Sequence, residues 1–403
     1  MDMATRPLEK FCPNCMADME KTADICPNCG FDIAAYRHPQ AALPYGMVLR
    51  KKYLLGRTLG IGGFGITYLG QNKSTGRKVA IKEYYPAQLA KRVREGPGKY
   101  RVLPIREEKR GLFLEGVQDY LREGKRLALF REMPNIVSVL EYFTDNGTAY
   151  LVMDYLEGIS LHRYLQLRGG KLEAGQALEL LQPVLYALVL MHGQKLIHRD
   201  ISPDNIMITE NDTAVLIDFG ASRRFDEPET EGFGLLKPGY ASPEQYVKKG
   251  RLGPWTDVYG FCAVWYRAVT GIVPAGGKRV TRQQKLPAPS QLGIHMPLEL
   301  ERILMKGLEG ESSRRYQDLK QLYADVCRYQ EQRDSQRQRD ISFQERCREE
   351  LETVNGTRIQ YLEQQDGRKK QITEKRFFWL AVVCGVLLLL LCFFLAGMLM
   401  KLS

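Results

Sequence analysis

Residues 377–400 read FFWLAVVCGVLLLLLCFFLAGMLM, an unbroken stretch without a charge or a proline. No other feature restricts the fold of this chain as tightly. A helix of 24 residues is about 36 Å long, enough to cross a hydrocarbon core of about 30 Å with some tilt. An amphipathic core helix keeps a polar face, and this segment has none. We therefore expect one transmembrane helix, in contact with lipid. Arg368, Lys369, Lys370, Lys375 and Arg376 precede it, while only Lys401 follows. Positive charge stays on the cytoplasmic side. The protein is thus expected to be single-pass in the cell membrane, with residues 1–376 cytoplasmic. Only Lys401, Leu402 and Ser403 lie beyond the run, so no outside sensor domain is expected. The N-terminus, MDMATRPLEKF, lacks the apolar region of an export signal.

Residues 331–376 are dense in Arg, Glu, Gln and Lys and read as a solvated, partly helical spacer. Leu351, Val354, Tyr361 and Leu362 form one apolar stripe, interrupted by Asn355-Gly356. That falls short of the sustained heptads of a coiled coil, and tethering leaves dimerisation open. Residues 36–47, with two prolines, read as a linker. Between linker and spacer, residues 48–330 mix strand and helix patterns, an α+β body. The net charge of +11 invites a nucleic-acid reading. The basic residues are interleaved with acids and form no tail, so nucleic acid is not expected.

Cys12, Cys15, Cys26 and Cys29 form two Cys-Pro-Asn-Cys turns; the other five cysteines are scattered. A disulfide framework would distribute cysteines through a small secreted domain. Two Cys-x-x-Cys turns instead aim four thiolates at one point, completing a tetrahedral S4 site for structural Zn²⁺. Four protein ligands leave no open position for catalysis. Residues 1–35 are too short for a core of their own, so metal binding should supply their folding free energy. They resemble a zinc ribbon, whose protein partner is not readable from sequence.

Leu59-Gly60-Ile61-Gly62-Gly63-Phe64-Gly65 contains G-x-G-x-x-G, a string that dinucleotide-binding folds also use. There the loop opens a helix. Here the β-favouring Ile66, Thr67, Tyr68 and Leu69 follow, so the loop joins two strands. Val79-Ala80-Ile81-Lys82 is an alternating strand ending in lysine. His198-Arg199-Asp200-Ile201-Ser202-Pro203-Asp204-Asn205, Asp218-Phe219-Gly220, Ser242-Pro243-Glu244 and Asp257-Val258-Tyr259-Gly260 follow in order. This succession resembles the eukaryotic-like serine/threonine protein kinases of bacteria, over roughly residues 48–330. The resemblance implies a bilobal protein-kinase fold, with a β-rich N-lobe and an α-rich C-lobe, using ATP and Mg²⁺ on protein substrates.

It also implies roles. Lys82 holds the α/β-phosphates, fixed by Glu123, with Glu115 as the fallback. Asn205 and Asp218 ligate Mg²⁺, and Asp200 accepts the proton of the substrate hydroxyl. Gly60, Gly62, Gly63, Gly65 and Thr67 border the phosphates. Leu59, Ala80 and Met207 sandwich adenine, whose edge meets the backbone of Asp154 and Leu156. Glu244 pairs with Arg315 structurally. The long interval between Lys82 and Glu123, including Glu95-Gly96-Pro97-Gly98, reads as an exposed loop.

Two positions depart from the family. The lysine expected two residues after Asp200 is Ser202, and the threonine expected three residues before Tyr240 is Lys237. We expect the changes to compensate, with Lys237 bringing charge to the γ-phosphate. Ser202 alone favours the alternative, a pseudokinase scaffold. A small-molecule kinase is disfavoured by Ser242-Pro243-Glu244, by Asp257-Val258-Tyr259-Gly260, which resembles the start of the family's buried F helix, and by Arg315. Arg199 suggests control by activation-segment phosphate, for which Thr230 is the candidate.

Overall fold

The computed structural model describes residues 10–219, 222–225, 236–247, 250–274 and 286–399. Two units follow one another in sequence, divided between Cys327 and Arg328. Gly220, Thr230 and Met400 lie outside the described residues.

The first lobe is built on strands β1 (Val48–Leu49), β2 (Tyr53–Ile61), β3 (Gly65–Asn72) and β4 (Lys78–Tyr84). A hairpin of β5 (Ala90–Gly96) and β6 (Lys99–Pro104) follows, then helix α1 (Arg110–Leu127), β7 (Val139–Asp145) and β8 (Thr148–Asp154). The antiparallel sheet runs β1-β2-β3-β4-β8-β7. Strand β4 obeys period two: Val79, Ile81 and Glu83 are buried, which leaves Ala80 and Lys82 together on the opposite face. Helix α1 buries Phe113, Val117, Tyr120, Gly124 and Leu127, an amphipathic spacing. A β-carbon on Gly124 would lie 2.9 Å from Cβ of Tyr142, so glycine lets the helix backbone settle on the sheet.

Two expectations change here. In the segment between Lys82 and Glu123, the turn around Pro97 and Gly98 is exposed, but its flanks are the β5–β6 hairpin. Residues 36–47 are not a loose tether, since Ala42 and Leu43 are buried. Arg92 on β5 explains both, because its guanidinium pairs with buried Glu83 and donates to Ala41 O at 2.8 Å. Tyr68 and Tyr150 also donate to Glu83, each at 2.7 Å. A buried charge needs such partners, and this network ties linker, hairpin and sheet together.

The second lobe follows with β9 (Gly158–Ser160), α2 (Leu161–Leu167), α3 (Ala174–Gly193), β10 (Leu196–Ile197), β11 (Ile206–Thr209), β12 (Ala214–Leu216) and β13 (Arg223–Arg224). Helices α4 (Pro254–Thr270) and α5 (Leu298–Gly307) complete it. Strands pair as β12-β11-β9 and β10-β13. Helix α4 is buried along nearly its whole length and ends at Gly271 in the left-handed region (φ 77°). Helix α3 has the length and hydropathy of a membrane span, but it is half buried and packs on α4 and β12. It is a core helix.

Helix α6 (Leu319–Leu399) starts in this body, where Leu319, Leu322 and Val326 are buried. Its later part belongs to the second unit, and Asn355-Gly356 does not interrupt it. Glycine costs about 1 kcal/mol in a helix, which the surrounding Glu, Gln, Arg and Lys tolerate.

Candidate active site

The glycine-rich loop joins β2 to β3 and opens no helix. Gly62 N–H donates to Gly65 O at 2.9 Å, and Tyr85 N–H to Phe64 O at 3.0 Å. Thr67 stands opposite Lys82 in the β3–β4 ladder, and Ala80 opposite Met153 in β4–β8. Asp154 ends β8, and Leu156 lies in the short connection to the second lobe. Met207 pairs with Ser160 on β11–β9. Leu59 and Gly60 lie on β2 as it enters the loop. These residues therefore line the two lobes around the connection that joins them.

Lys82 makes its ion pair with Asp218. Among the described residues it makes none with Glu123 within 4.0 Å, a correction to the expected partner. Burial opposes the lysine charge, but Asp218, Glu123 and Asp200 outweigh it and hold its pKa above the ordinary value. Burial likewise pushes Glu123 up to about 8, against the pull of Lys82. The Asp218 side chain keeps 38% of its surface exposed, so its charge is cheaper to maintain and wins the ammonium. Glu123 still belongs to the cluster, because Tyr120 on the same helix donates to Lys82 O at 3.3 Å. The fallback, Glu115, is exposed.

The catalytic loop is held from beneath. Asp257 on α4 accepts from the backbone N–H of His198 at 2.7 Å and of Arg199 at 2.8 Å, and contacts His192 Nε2 at 2.8 Å. Burial opposes its charge, yet these donors hold its pKa below the carboxylate norm. Gln245 donates to Arg199 O at 2.9 Å. Together they restrain Arg199 in the left-handed region, at φ 68°. Sequence reading identified the Asp257 motif but not its load; nothing in the sequence marked His192 or Gln245. Asn205 Nδ2 donates to Asp200 Oδ2 at 2.8 Å, aiming the carboxylate. Burial raises the Asp200 pKa, partly offset by Lys237.

Lys237 reaches this cluster from the segment before Tyr240. Its Nζ donates to Ser202 Oγ at 2.8 Å and to Asn205 Oδ1 at 3.1 Å, and stands 3.6 Å from Asp200 Oδ2. The two departures from the family thus touch each other. Below them, Arg315 binds Glu244 through two 2.8 Å contacts, fully buried on the arginine side.

The second candidate site is the cysteine knob. Cys12 Sγ lies 3.6 Å from Cys29 Sγ, and Cys15 Sγ 3.6 Å from Cys26 Sγ. All four sulfurs fall within 4.8 Å of one another. Tetrahedral Zn–S bonds of about 2.3 Å imply sulfur separations of roughly 3.8 Å, so the donor set is compatible with Zn²⁺. Asn14 and Asn28 donate across the knob, to Cys29 Sγ and Cys15 Sγ, each at 3.5 Å, as outer-shell donors to metal thiolates do.

The sequence profile of the protein kinase domain matches residues 53–336. The chain is 31% identical to the serine/threonine-protein kinase pkn2 of Myxococcus xanthus, over 69% of this chain and 32% of that protein. It is 28% identical to the probable serine/threonine-protein kinase CPE1738 of Clostridium perfringens, over 70% of this chain and 38% of that protein. It thus spans about a third of the length of these curated relatives. The solved apo form of PpkA-294 is similar at a TM-score of 0.61 and 30% identity, over 71% of this chain and 99% of that one. With its two lobes, its ordered motifs and a profile match over more than half its length, this chain belongs to the protein kinase family.

Proposed function

We propose that the chain is a membrane-anchored, ATP-dependent kinase that phosphorylates Ser/Thr hydroxyls of proteins in signalling. The observation that carries this reading is the Lys237 ammonium, 2.8 Å from Ser202 Oγ and 3.6 Å from Asp200. It returns to the cluster the positive charge that Ser202 lacks. Asn205 Oδ1 and the Asp218 carboxylate are the hard oxygens that would hold Mg²⁺. Bound MgATP would supply the transferable phosphoryl group and a divalent charge to neutralise its oxygens. Asp200, aimed by Asn205, orients the substrate hydroxyl and takes its proton. Lys82 orients the α/β-phosphates, and Lys237 meets charge that develops on the transferred group.

Anchoring rests on the uncharged run 377–400 and on a helix extending to Leu399, where Phe377, Phe378, Leu380 and Val383 are exposed. Flanking basic residues support a cytoplasmic catalytic body. The alternative, a scaffold that binds nucleotide without transfer, rests on Ser202. The test compares the full chain in detergent micelles with Asp200→Asn, given MgATP and a generic protein substrate. Phosphoserine and phosphothreonine should form only with the unaltered chain; equal signals from both would leave the scaffold reading.

A further inference from the structure

The cysteine knob is seated on the strand that carries the glycine-rich loop. Pairing of β2 with β3 loses regular register between Leu55 and Thr58 and again before Gly60. Knob and linker occupy this irregular stretch. Arg57 N–H donates to Pro13 O at 2.7 Å, and Thr58 N–H to the Tyr36 hydroxyl at 3.0 Å. Arg57 Nε donates to Asn14 Oδ1 at 2.5 Å, while Asn14 Nδ2 donates to Cys29 Sγ. One side chain therefore joins a metal-ligand sulfur to β2.

Two further features fit a built interface. A β-carbon on Gly56 would lie 2.6 Å from Pro13 O and 2.7 Å from Met16 Sδ, so only glycine admits the knob this closely. Met16 follows Cys15 as Gly30 follows Cys29, and both are left-handed, at φ 65° and 69°. That conformation favours glycine. The first turn nevertheless keeps methionine, 4% exposed, beside Gly56. Phe31 packs on Tyr36 and Phe11 on Tyr45, continuing the seat into the linker.

We propose that zinc occupancy of the knob controls nucleotide affinity through this seat. Among the described residues, the knob's own buried cluster is Cys12, Met19 and Cys26, edged by Cys15, Ala23, Phe31 and Ile33. Without metal such a unit does not hold its fold. Pro13 O and Asn14 Oδ1 then leave Arg57, and β2 loses its support three residues before Gly60. The partner of the knob is thus the chain's own nucleotide lobe, and the signal it reads is zinc. The nucleotide half of the inference rests on the kinase reading above.

The experiment uses the full chain in detergent micelles, zinc-loaded or stripped with a chelator that is dialysed away before Mg²⁺ is added. Zinc content, backbone hydrogen exchange over residues 53–61 and affinity for a non-hydrolysable ATP analogue are measured. Stripping should speed exchange over 53–61 and weaken the analogue about tenfold, the scale of one or two lost hydrogen bonds. Arg57→Met removes the bond to Asn14 but keeps the backbone bond to Pro13 O. It should therefore show part of the faster exchange and weaker affinity with its zinc retained, and stripping it should add the remainder; Asn14→Leu tests the same relay from the knob side. Unchanged exchange on stripping overturns the proposal, as does a zinc-loaded Arg57→Met protein whose exchange over residues 53–61 and analogue affinity match the unaltered chain. Failure of the zinc-loaded chain to bind the analogue sinks the kinase reading instead, and the exchange arm still decides whether zinc holds β2.

Discussion

Replacing Lys237 by methionine keeps most of the side-chain volume and removes one charge. At an effective dielectric constant of about 20, opposite unit charges separated like Lys237 Nζ and Asp200 Oδ2 interact by about 4–5 kcal/mol. Both side chains keep some exposure, 31% and 25%, so solvent trims that figure. What remains is about 3 kcal/mol, the usual worth of one preorganised contact to charge developing in a transition state. This corresponds to roughly two orders of magnitude in kcat. Initial rates with MgATP and a protein substrate should therefore fall about 100-fold in Lys237→Met, with KM for ATP changed little. The acidic limb of the rate profile should also move to higher pH, because Lys237 pulls down the pKa of Asp200. The double variant Ser202→Lys with Lys237→Thr should recover much of the loss, since it returns the same charge from the other segment. A kcat for Lys237→Met within about twofold of the unaltered chain would refute the electrostatic argument.

Three other outcomes are expected. Arg315→Met leaves the Glu244 carboxylate, only 11% exposed, without its cation and should cost about 3–5 kcal/mol; an unshifted urea midpoint would show the pair to be dispensable. Glutamate titrates near 4.5 when free and near 8 at Glu123, so the folded state binds this proton more tightly. The stability it lends is full below pH 4.5 and lost as pH rises through 8. Glu123→Gln should accordingly flatten the fall in Tm between pH 5 and pH 8, and identical profiles would assign that fall to other groups. Deleting residues 377–403 should move the protein from the carbonate-resistant membrane fraction to the soluble one, whereas an already soluble full chain would refute anchoring.

Much of the site was legible before any coordinates. The β2–β3 loop, the shared face of Ala80 and Lys82, and the order of the catalytic motifs follow from local rules: strand periodicity and fixed spacing along the chain. Glu123 shows where such rules stop. Its helix and its approach to Lys82 were implied by the resemblance, but which carboxylate wins the ammonium depends on their relative exposure. Residues 36–47 misled for a related reason. Prolines and small side chains look like a tether, and only the buried Glu83–Arg92 pair reveals what they cover.

By itself the sequence determined the four-cysteine site and the uncharged run, because each is written in residues close together along the chain, while the two lobes came from the resemblance that the ordered motifs carry. Tertiary structure decided the pairings: Lys237 with Ser202 across 35 residues, Lys82 with Asp218 across 136, and Asn14 with Arg57 across 43. Coulombic and hydrogen-bond energies depend on separation in space, and nothing in the spacing of these residues along the chain encodes it.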